Sequence, residues 1–523
     1  MTTKKIKEII DKKTYLREKL FSFGFFLTDS EVKSDEFPFY NNWNQEAIGN
    51  FTLLVHKCQR YYIKKSNRRT FCLIGHAYNP FSYMHDENEI LSIIAEAFEQ
   101  GKELFFDKLN EVSGIFTLIV LGEETWIIGD PTGIQTCFYG NVNGKLYVSS
   151  HCNLIGDLCG MDMDPYIKKL KRYKYFHLFG NSLPGDLSPF KEIKRLIPNH
   201  YVRKKEEELT AERFFVINTI KIANEEIVKE AAKILHDSIS LIEKKWDRPA
   251  ISLTGGCDSK TTLACAVGLY EKFDYFSYIS SQSEKIDADA AHEIGASLGL
   301  GHKIYNISEN DMDFQDIEEI REILYWNGGG ILYNNPNDIR KRCYFSNIND
   351  FDVEVKSWCS EIGRAYYSKR FNNRKYFGKK ATPRKCTTLY KIFFHNRKLV
   401  KQTDAVFAEY IKKYFQIPND NKLPWQEHFF WEHRVGAWNG VTITCEHRFS
   451  FDITIPYNNR KLLSLLLSAT IDERINDEIY EKIRLFMNPV IDQTGIAVQN
   501  VKHTPKRALM ENLYYSIHSK IPF

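Results

Sequence analysis

A chain of 523 residues has room for roughly two to four domains of average size, each with a large buried core, which excludes a small disulfide-stapled module. With 43% hydrophobic, 14% aromatic and 26% charged residues it has the composition of a folded globular protein and is too apolar for a disordered one. Seventy-one Lys and Arg against 67 Asp and Glu leave a formal net charge of +4, too small at this length to indicate a nucleic-acid partner.

The opening segment, MTTKKIKEIIDKK (1–13), is basic but lacks the apolar core of a secretory signal, and it predicts a short amphipathic helix. Between about residue 20 and residue 215, strand-like runs alternate with turns: FGFFLTD (23–29), CLIGHAY (72–78), GIFTLIVLG (114–122), TWIIGD (125–130) and TCFYGNVNGKLYVSS (136–150). Within the last of these, NVNGK marks a hairpin turn. One helix interrupts the series, ENEILSIIAEAFEQG (87–101), with Ile and Ala at three- and four-residue spacing before a terminating Gly. This half is expected to be α+β. Its aliphatic run 115–121, with Thr117 inside it, is the longest in the chain and far short of the ~20 residues a membrane-spanning helix needs.

After Phe215 the texture changes to strands separated by long helices. EEIVKEAAKILHDSISLIEKK (225–245) precedes PAISLTGG (249–256), a helix, FDYFSYISS (273–281), a second helix and HKIYNI (302–307). Such alternation predicts parallel βαβ units in an α/β, doubly wound sheet. The boundary falls near 217–223, giving domains of 1–217 and 218–523. Beyond about residue 311 the pattern is helical and aromatic-rich, ending in the basic tail 501–523. Eleven scattered Cys without a C-x-x-C pair are expected to be reduced packing residues, and a cytoplasmic location is expected.

The segment AISLTGGCDSKTTLACA (250–266) carries the chemistry. An apolar strand runs into Leu253, Thr254, Gly255, Gly256, Cys257, Asp258 and Ser259, then a helix. Two glycines allow close backbone approach, and the helix-start amides with the Thr254 and Ser259 hydroxyls make a cradle for phosphate oxygens. A carboxylate at Asp258 fits that cradle if it holds Mg²⁺ bridging the phosphates. The segment is not a G-x-x-x-x-G-K-[ST] loop, so γ-phosphoryl transfer is not the natural reading.

These residues resemble the ATP pyrophosphatase (PP-loop) domain of class B asparagine synthetases and β-lactam synthetases. The signature S-G-G-x-D-S stands here as Thr254-Gly-Gly-Cys-Asp-Ser259. A second signature is matched by Asp287, Ala291, Gly295, Leu298, Gly299 and His302. A third, S-G-x-G-x-D-E, has a degenerate counterpart in VEVKSWCSEIGRAYY (353–367), with Ser357, Glu361, Gly363 and Tyr366 in comparable places. Likeness resumes at 445–463, where Arg448 and Asp452 are candidates for the substrate wall.

The resemblance implies an adenine nucleotide α-hydrolase-like fold, ATP and Mg²⁺ as cofactors, and amide formation through an acyl-adenylate. Gly255, Gly256 and Ser259 would hold phosphates, Asp258 and Glu361 the metal, and the backbone around Ile279 and Ser280 adenine. Arg364 would meet phosphate or the substrate carboxylate.

The first 215 residues resemble the family's glutaminase-like α+β sandwich of Ntn-hydrolase type in GIFTLIV, Asp130-Pro-Thr-Gly133, Val148-Ser-Ser150 and FKEIKRLIP (190–198). That domain uses a Cys exposed after Met removal. Here Thr2 stands instead, the lysine-rich segment intervenes before the first strand, and no glutaminase activity is expected. The nitrogen would come from ammonia, a separate glutaminase, or an amine. Relatives lacking that Cys, the β-lactam synthetases and lasso-peptide cyclases, close a ring within one substrate and use a late Lys. Lys502 and Lys506 are both candidates for it. The partners implied are a small-molecule or peptide carboxylate, an ammonia or amine donor, and a second copy of the chain in a homodimer, with no nucleic acid and no membrane. The alternatives are a ring-closing enzyme and a non-catalytic nucleotide-binding pseudoenzyme.

Overall fold

The computed structural model describes residues 3–174, 176–331, 335–372, 380–391, 396–417, 423–496 and 504–521, the side chains of 178 and 179 excepted. Helix α1 (Thr3–Lys12) turns Ile6 and Ile10, one helical turn apart, inward. The strands of the first half follow: β1 (Phe25–Thr28), β2 (Trp43–Ile48), β3 (Phe51–His56), β4 (Tyr61–Ser66) and β5 (Arg69–Tyr78). Helices α2 (Glu87–Gln100) and α3 (Lys102–Asn110) separate these from β6 (Ser113–Leu121), β7 (Thr125–Gly129), β8 (Phe138–Val142) and β9 (Lys145–Ser149). Helices α4 (Cys152–Cys159) and α5 (Pro165–Lys171) precede β10 (Lys194–Arg195), β11 (His200–Lys205) and β12 (Glu208–Arg213).

Two antiparallel six-stranded sheets result, in the orders β10-β8-β9-β1-β3-β2 and β12-β11-β7-β6-β5-β4. Alternation along each strand decides the layering. Phe25, Leu27, Leu53 and Val55 face Cys72, Ile74, Ile119 and Ile127 between the sheets. Their neighbours Phe26 and Leu54 turn outward onto α1 and α4, and Phe71, Leu73, Phe116 and Leu118 onto α2 and α3. The layers therefore run helix, sheet, sheet, helix. Slipping any of these strands by one residue would expose a whole row of buried side chains, each worth ~1.5–3 kcal/mol. The β8–β9 hairpin turns on Asn143 and Gly144, both left-handed with φ of 54° and 76°, the geometry that matches strand twist.

In the second half, α6 (Asn224–Lys245), β13 (Pro249–Ser252), α7 (Cys257–Cys265), β14 (Asp274–Ile279), α8 (Gln282–Ser297) and β15 (His302–Asn306) alternate. After α9 (Ile317–Asn327) and α10 (Pro336–Ser346) come β16 (Val353–Val355) and, much later, β17 (Asp452–Thr454). All five strands are parallel, in the order β15-β14-β13-β16-β17. Ile251, Tyr275, Val353 and Val355 pack with residues of α6, α7 and α8, whereas Ala250, Phe276 and Tyr305 pack with Phe345 of α10 and with Phe351. Both faces are thus covered, as the continuous apolar strands require. The strand order reverses between β13 and β16, which opens a crevice at their carboxyl ends.

The halves share one core: Tyr78, Ile115, Ile134 and Ile197 join the cluster built around α6 and the parallel sheet. Polar groups lock the contact. The buried Asp130 carboxylate accepts the amides of Thr132 and Ile134 at 3.1 Å, that of Gln135 at 2.6 Å, and Nδ2 of Asn458 at 3.1 Å. Arg460 Nη2 donates to the Gly129 and Asp130 carbonyls at 2.9 and 3.2 Å. Among the described residues no helix is long and apolar enough to cross a membrane. The eleven cysteines are unbridged and eight of them are buried.

Removing the Asp130 carboxylate strands several buried donors at once, each costing ~1–3 kcal/mol when unsatisfied. Asp130→Ala is therefore expected to lower stability by about 3 kcal/mol or more in urea unfolding, and the exposed control Glu123→Ala to change it by less than about 0.5 kcal/mol.

Candidate functional site

Strand β13 ends at Ser252, the chain turns through Leu253–Gly256, and α7 starts at Cys257 with Gly256 at its N-cap. The turn braces itself. Ser259 Oγ accepts the Thr254 amide at 3.0 Å, and Thr254 Oγ1 accepts the Gly256 amide at 3.2 Å. A Cβ on Gly256 would lie 3.2 Å from Thr254 Oγ1, so a larger residue would push against the hydroxyl that holds the turn. The first amides of α7 remain at the open end of a helix, where an anion is favoured.

This turn forms one wall of a cavity of about 290 Å³ at the crevice between β13 and β16. Leu253, Thr254, Gly256, Asp258 and Ser259 line it. Ser277 and Tyr278 from the end of β14, and Glu284, Asp287 and Ala288 from α8, form a second wall. The chain leaving β16 closes it with Lys356, Ser357, Trp358 and Glu361. Three stretches legible in the sequence, around 254–259, at Asp287 and at 357–361, thus meet in one space.

Asp258 is the electrostatic centre. Its Oδ2 accepts from Arg364 Nη1 at 2.5 Å, while its Oδ1 is buried and has no hydrogen-bond partner among the described residues. Arg364 also grips Asp477 through Nε and Nη2, both at 2.8 Å, in a bidentate pair. Burial works against the Arg364 charge, but Asp258 and then Asp477 raise its pKa above the ordinary value. Glu361 forms no ion pair among the described residues, and Arg364 lowers its pKa only slightly against the opposing effects. Burial, and after it the charge of Asp258, push its carboxyl up to about 7.

Around this centre the second signature provides support. His302 Nε2 bonds Ser277 Oγ at 2.9 Å, and Ser277 Oγ donates to the Leu253 carbonyl at 2.7 Å, so His302 steadies the turn from behind. Burial lowers the His302 pKa to about 4, which keeps the ring neutral near pH 7. Gly299 is left-handed, with φ of 68°, and ends the turn after α8. Ala291 and Gly295 are buried in α8. Gly363 lies where a Cβ would meet Tyr480 Oη at 2.6 Å, so this position requires glycine.

Several sequence candidates lie elsewhere. Gly255 is in the turn but is not part of the lining. Ile279 and Ser280 do not line the cavity: the Ile279 carbonyl accepts from the Ile307 amide at 2.8 Å, and Glu284 Oε2 takes the Ser280 amide and hydroxyl at 2.9 and 2.6 Å. Arg364 stands behind Asp258 and outside the lining. Arg448 is fully buried, paired with Asp452 at 2.9 Å and donating to Gln135 Oε1 at 2.6 Å, which places both against the first half. Lys506 is exposed on the helix Pro505–His518 and does not line the cavity, and Lys502 and Thr2 lie outside the described residues. The sequence reading passed over Lys356, Trp358, Tyr278, Ser277 and Glu284. For Lys356 a signal existed: on a strand, Glu354 and Lys356 share a face.

Among the described residues no group of three or more His, Cys, Asp or Glu is arranged to hold a metal ion. Mg²⁺ rarely needs such a cage, since it keeps waters and takes one or two carboxylates together with substrate phosphates. The partnerless Oδ1 of Asp258, with Glu361 facing the same cavity, fits that donor set.

No family model matches the chain, and no curated protein matches it. Among solved structures, an allosteric regulatory enzyme of purine biosynthesis is 10% identical, with 69% of this chain and 74% of that one covered and a TM-score of 0.25. A glutamine phosphoribosylpyrophosphate amidotransferase from B. subtilis, complexed with ADP and GMP, is 11% identical over 69% and 74%, with a TM-score of 0.23. A glutamine-dependent NAD⁺ synthetase from Acinetobacter baumannii, in complex with ADP, is 18% identical over 30% and 27%, with a TM-score of 0.17. At such scores the likeness carries no weight for the chemistry of this chain. None of the three is an asparagine synthetase.

A carboxyl whose folded pKa is raised from 4.5 to about 7 stabilises the fold only while protonated. Its contribution is complete below about pH 4.5 and is lost as pH rises through about 7. Glu361→Gln is therefore expected to raise the melting temperature of the nucleotide-free protein in EDTA at pH 8 and to leave it unchanged at pH 4.5, as read by differential scanning fluorimetry.

Proposed function

We propose that the chain activates a substrate carboxylate with Mg²⁺·ATP and transfers the acyl group to ammonia or an amine, releasing AMP and pyrophosphate. The observation that supports this best is the meeting of the braced turn Leu253–Gly256, the partnerless Oδ1 of Asp258 and the Glu361 carboxyl in one cavity at the strand-order reversal. The reversal also favours a doubly wound, adenine nucleotide α-hydrolase-like sheet for 218–523, and the helix–sheet–sheet–helix layers favour an Ntn-hydrolase-like reading of 1–217.

In the proposed reaction a carboxylate oxygen of the acid attacks the α-phosphorus of ATP, and the bond to the bridging oxygen breaks as pyrophosphate leaves. The amine nitrogen then attacks the acyl carbon, AMP departs with the bonding pair, and the nitrogen loses its proton to solvent. Amides at the start of α7 and the Ser259 side of the turn would face the β- and γ-phosphates. Asp258 and Glu361 would hold Mg²⁺, which when bound offsets charge building on the departing pyrophosphate. Arg364 would orient Asp258 without touching the nucleotide. His302, through Ser277, would keep the Leu253 carbonyl from drifting as the phosphates enter. A fixed turn matters because misplacing the reacting groups by ~1 Å can cost a factor of ~100.

One observation favours a second reading, a nucleotide-binding protein without turnover: the Arg364 guanidinium already occupies one oxygen of Asp258. The two readings part in a single experiment. Purified protein with Mg²⁺·ATP and a panel of carboxylic acids is expected to release pyrophosphate, and Asp258→Asn to reduce the rate about 100-fold or more. Stabilisation by Mg²⁺·ATP without pyrophosphate for any acid or amine would establish the non-catalytic reading, and no response to nucleotide would remove both.

A further inference from the structure

Of the described residues lining the cavity, four are acids, Asp258, Glu284, Asp287 and Glu361, and one is a lysine, Lys356. Among these described side chains only Lys356 can attract a triphosphate entering the space. Arg364 does not change this, because it stands outside the lining with its guanidinium turned to Asp258 and Asp477. Nor does Lys341, whose ammonium is taken by Glu284 at 2.8 Å and Asp338 at 2.9 Å.

Lys356 is built in. It leaves the end of β16 with its amide bonded to the Thr454 carbonyl at 2.9 Å, and its side chain is only 8% exposed. Its ammonium donates to Glu354 Oε1 at 2.5 Å, and Glu354 is itself buried. The same ammonium lies 5.6 Å from the centre of the Trp358 ring. An ammonium has three donors, so the Glu354 contact leaves two. A buried pair of this kind adds little to stability over an apolar pair of the same volume, so its presence on a cavity wall needs another explanation.

We propose that Lys356 is the cation that receives the phosphate oxygens of the nucleotide, with Glu354 as the counter-ion that holds its ammonium in place while the cavity holds no nucleotide. This rests on the nucleotide-binding reading above and adds to it the residue that makes an acid-lined cavity accept a polyanion. Lys356 follows β16 directly, and its ammonium reaches back to Glu354 two residues earlier, so a phosphate would compete with the carboxylate for the same ammonium. Lys356 is a binding residue in this scheme and Glu354 a positioning residue.

The test compares Mg²⁺·ATP with adenosine by calorimetry on the full chain. Lys356→Ala alone leaves Glu354 buried without its cation and is expected to lose stability, so the paired variant Glu354→Gln/Lys356→Gln, which keeps the wall neutral, is used. It is expected to bind Mg²⁺·ATP about 10- to 100-fold more weakly and adenosine as the wild type does. Lys356→Arg is expected to restore most of the difference. As a second variant, Glu354→Gln alone frees the ammonium from its competitor and is expected to bind Mg²⁺·ATP more tightly than wild type. Unchanged ATP affinity in the paired variant, equal weakening of ATP and adenosine, or no tightening in Glu354→Gln would overturn the assignment of Lys356 and leave the nucleotide site standing. A wild-type protein that binds neither ATP nor adenosine would instead remove the functional reading beneath it.

Discussion

Two carboxylates, Asp258 and Glu361, share one space at the ends of β13 and β16, and only Asp258 has a guanidinium against it. That imbalance is the constraint on which the rest of the site depends. A buried acid next to a second acid cannot hold its charge at low cost, and Glu361 shows it in a carboxyl pushed up to about 7. The surrounding structure accordingly keeps both groups from relaxing into each other. Arg364 fixes Asp258 from behind and is itself anchored by Asp477, whose pKa is lowered because Arg364 and Lys369 outweigh the effect of its own burial. Tyr480 donates to the Ser360 carbonyl at 2.6 Å and lies against Gly363, which sets the turn that carries Glu361.

What the sequence made legible follows from how local each feature is. The passage from strand to turn to helix at 249–265 is written in consecutive residues, an apolar run, two glycines and a helix start, and the structure places Thr254, Gly256, Asp258 and Ser259 on one cavity wall. The hairpin at Asn143–Gly144 and the helix at 87–100 were legible for the same reason. The partner of Asp258 was not, because Arg364 lies 106 residues away and its second anchor, Asp477, a further 113 from it. Nothing in the local spacing announces such pairs. Ser280 illustrates a different limit: a backbone amide at the end of a parallel strand is a natural contact for a ligand, and here it donates to Glu284, one helical turn on, a pairing that strand position alone does not announce. The edge strand β4 is hard to see in the sequence because it reads Tyr-Tyr-Ile-Lys-Lys-Ser, half-exposed or exposed at every position, with no buried alternation to mark it.

The first half of the chain contributes to the site without entering its lining. The turn after β7 is clamped through Asp130, Asn458 and Arg460 to the segment that follows β17, and Thr132 Oγ1 donates to Asn458 Oδ1 at 2.8 Å. Cys359, in the turn that carries Glu361, lies 3.4 Å from that same Thr132 hydroxyl. The chain around 357–361 is therefore backed by the first half on one side and by Tyr480 on the other. An antiparallel sandwich that supplies none of the described lining residues still bears on where Glu361 stands, because the turn carrying it holds Cys359 and Ala365 left-handed, with φ of 71° and 48°, a conformation that costs a side-chain-bearing residue energy unless its surroundings enforce it. Loss of the sandwich contacts would thus reach the Glu361 carboxylate through strain released in one short turn, so the two halves, different in architecture, act on a single site.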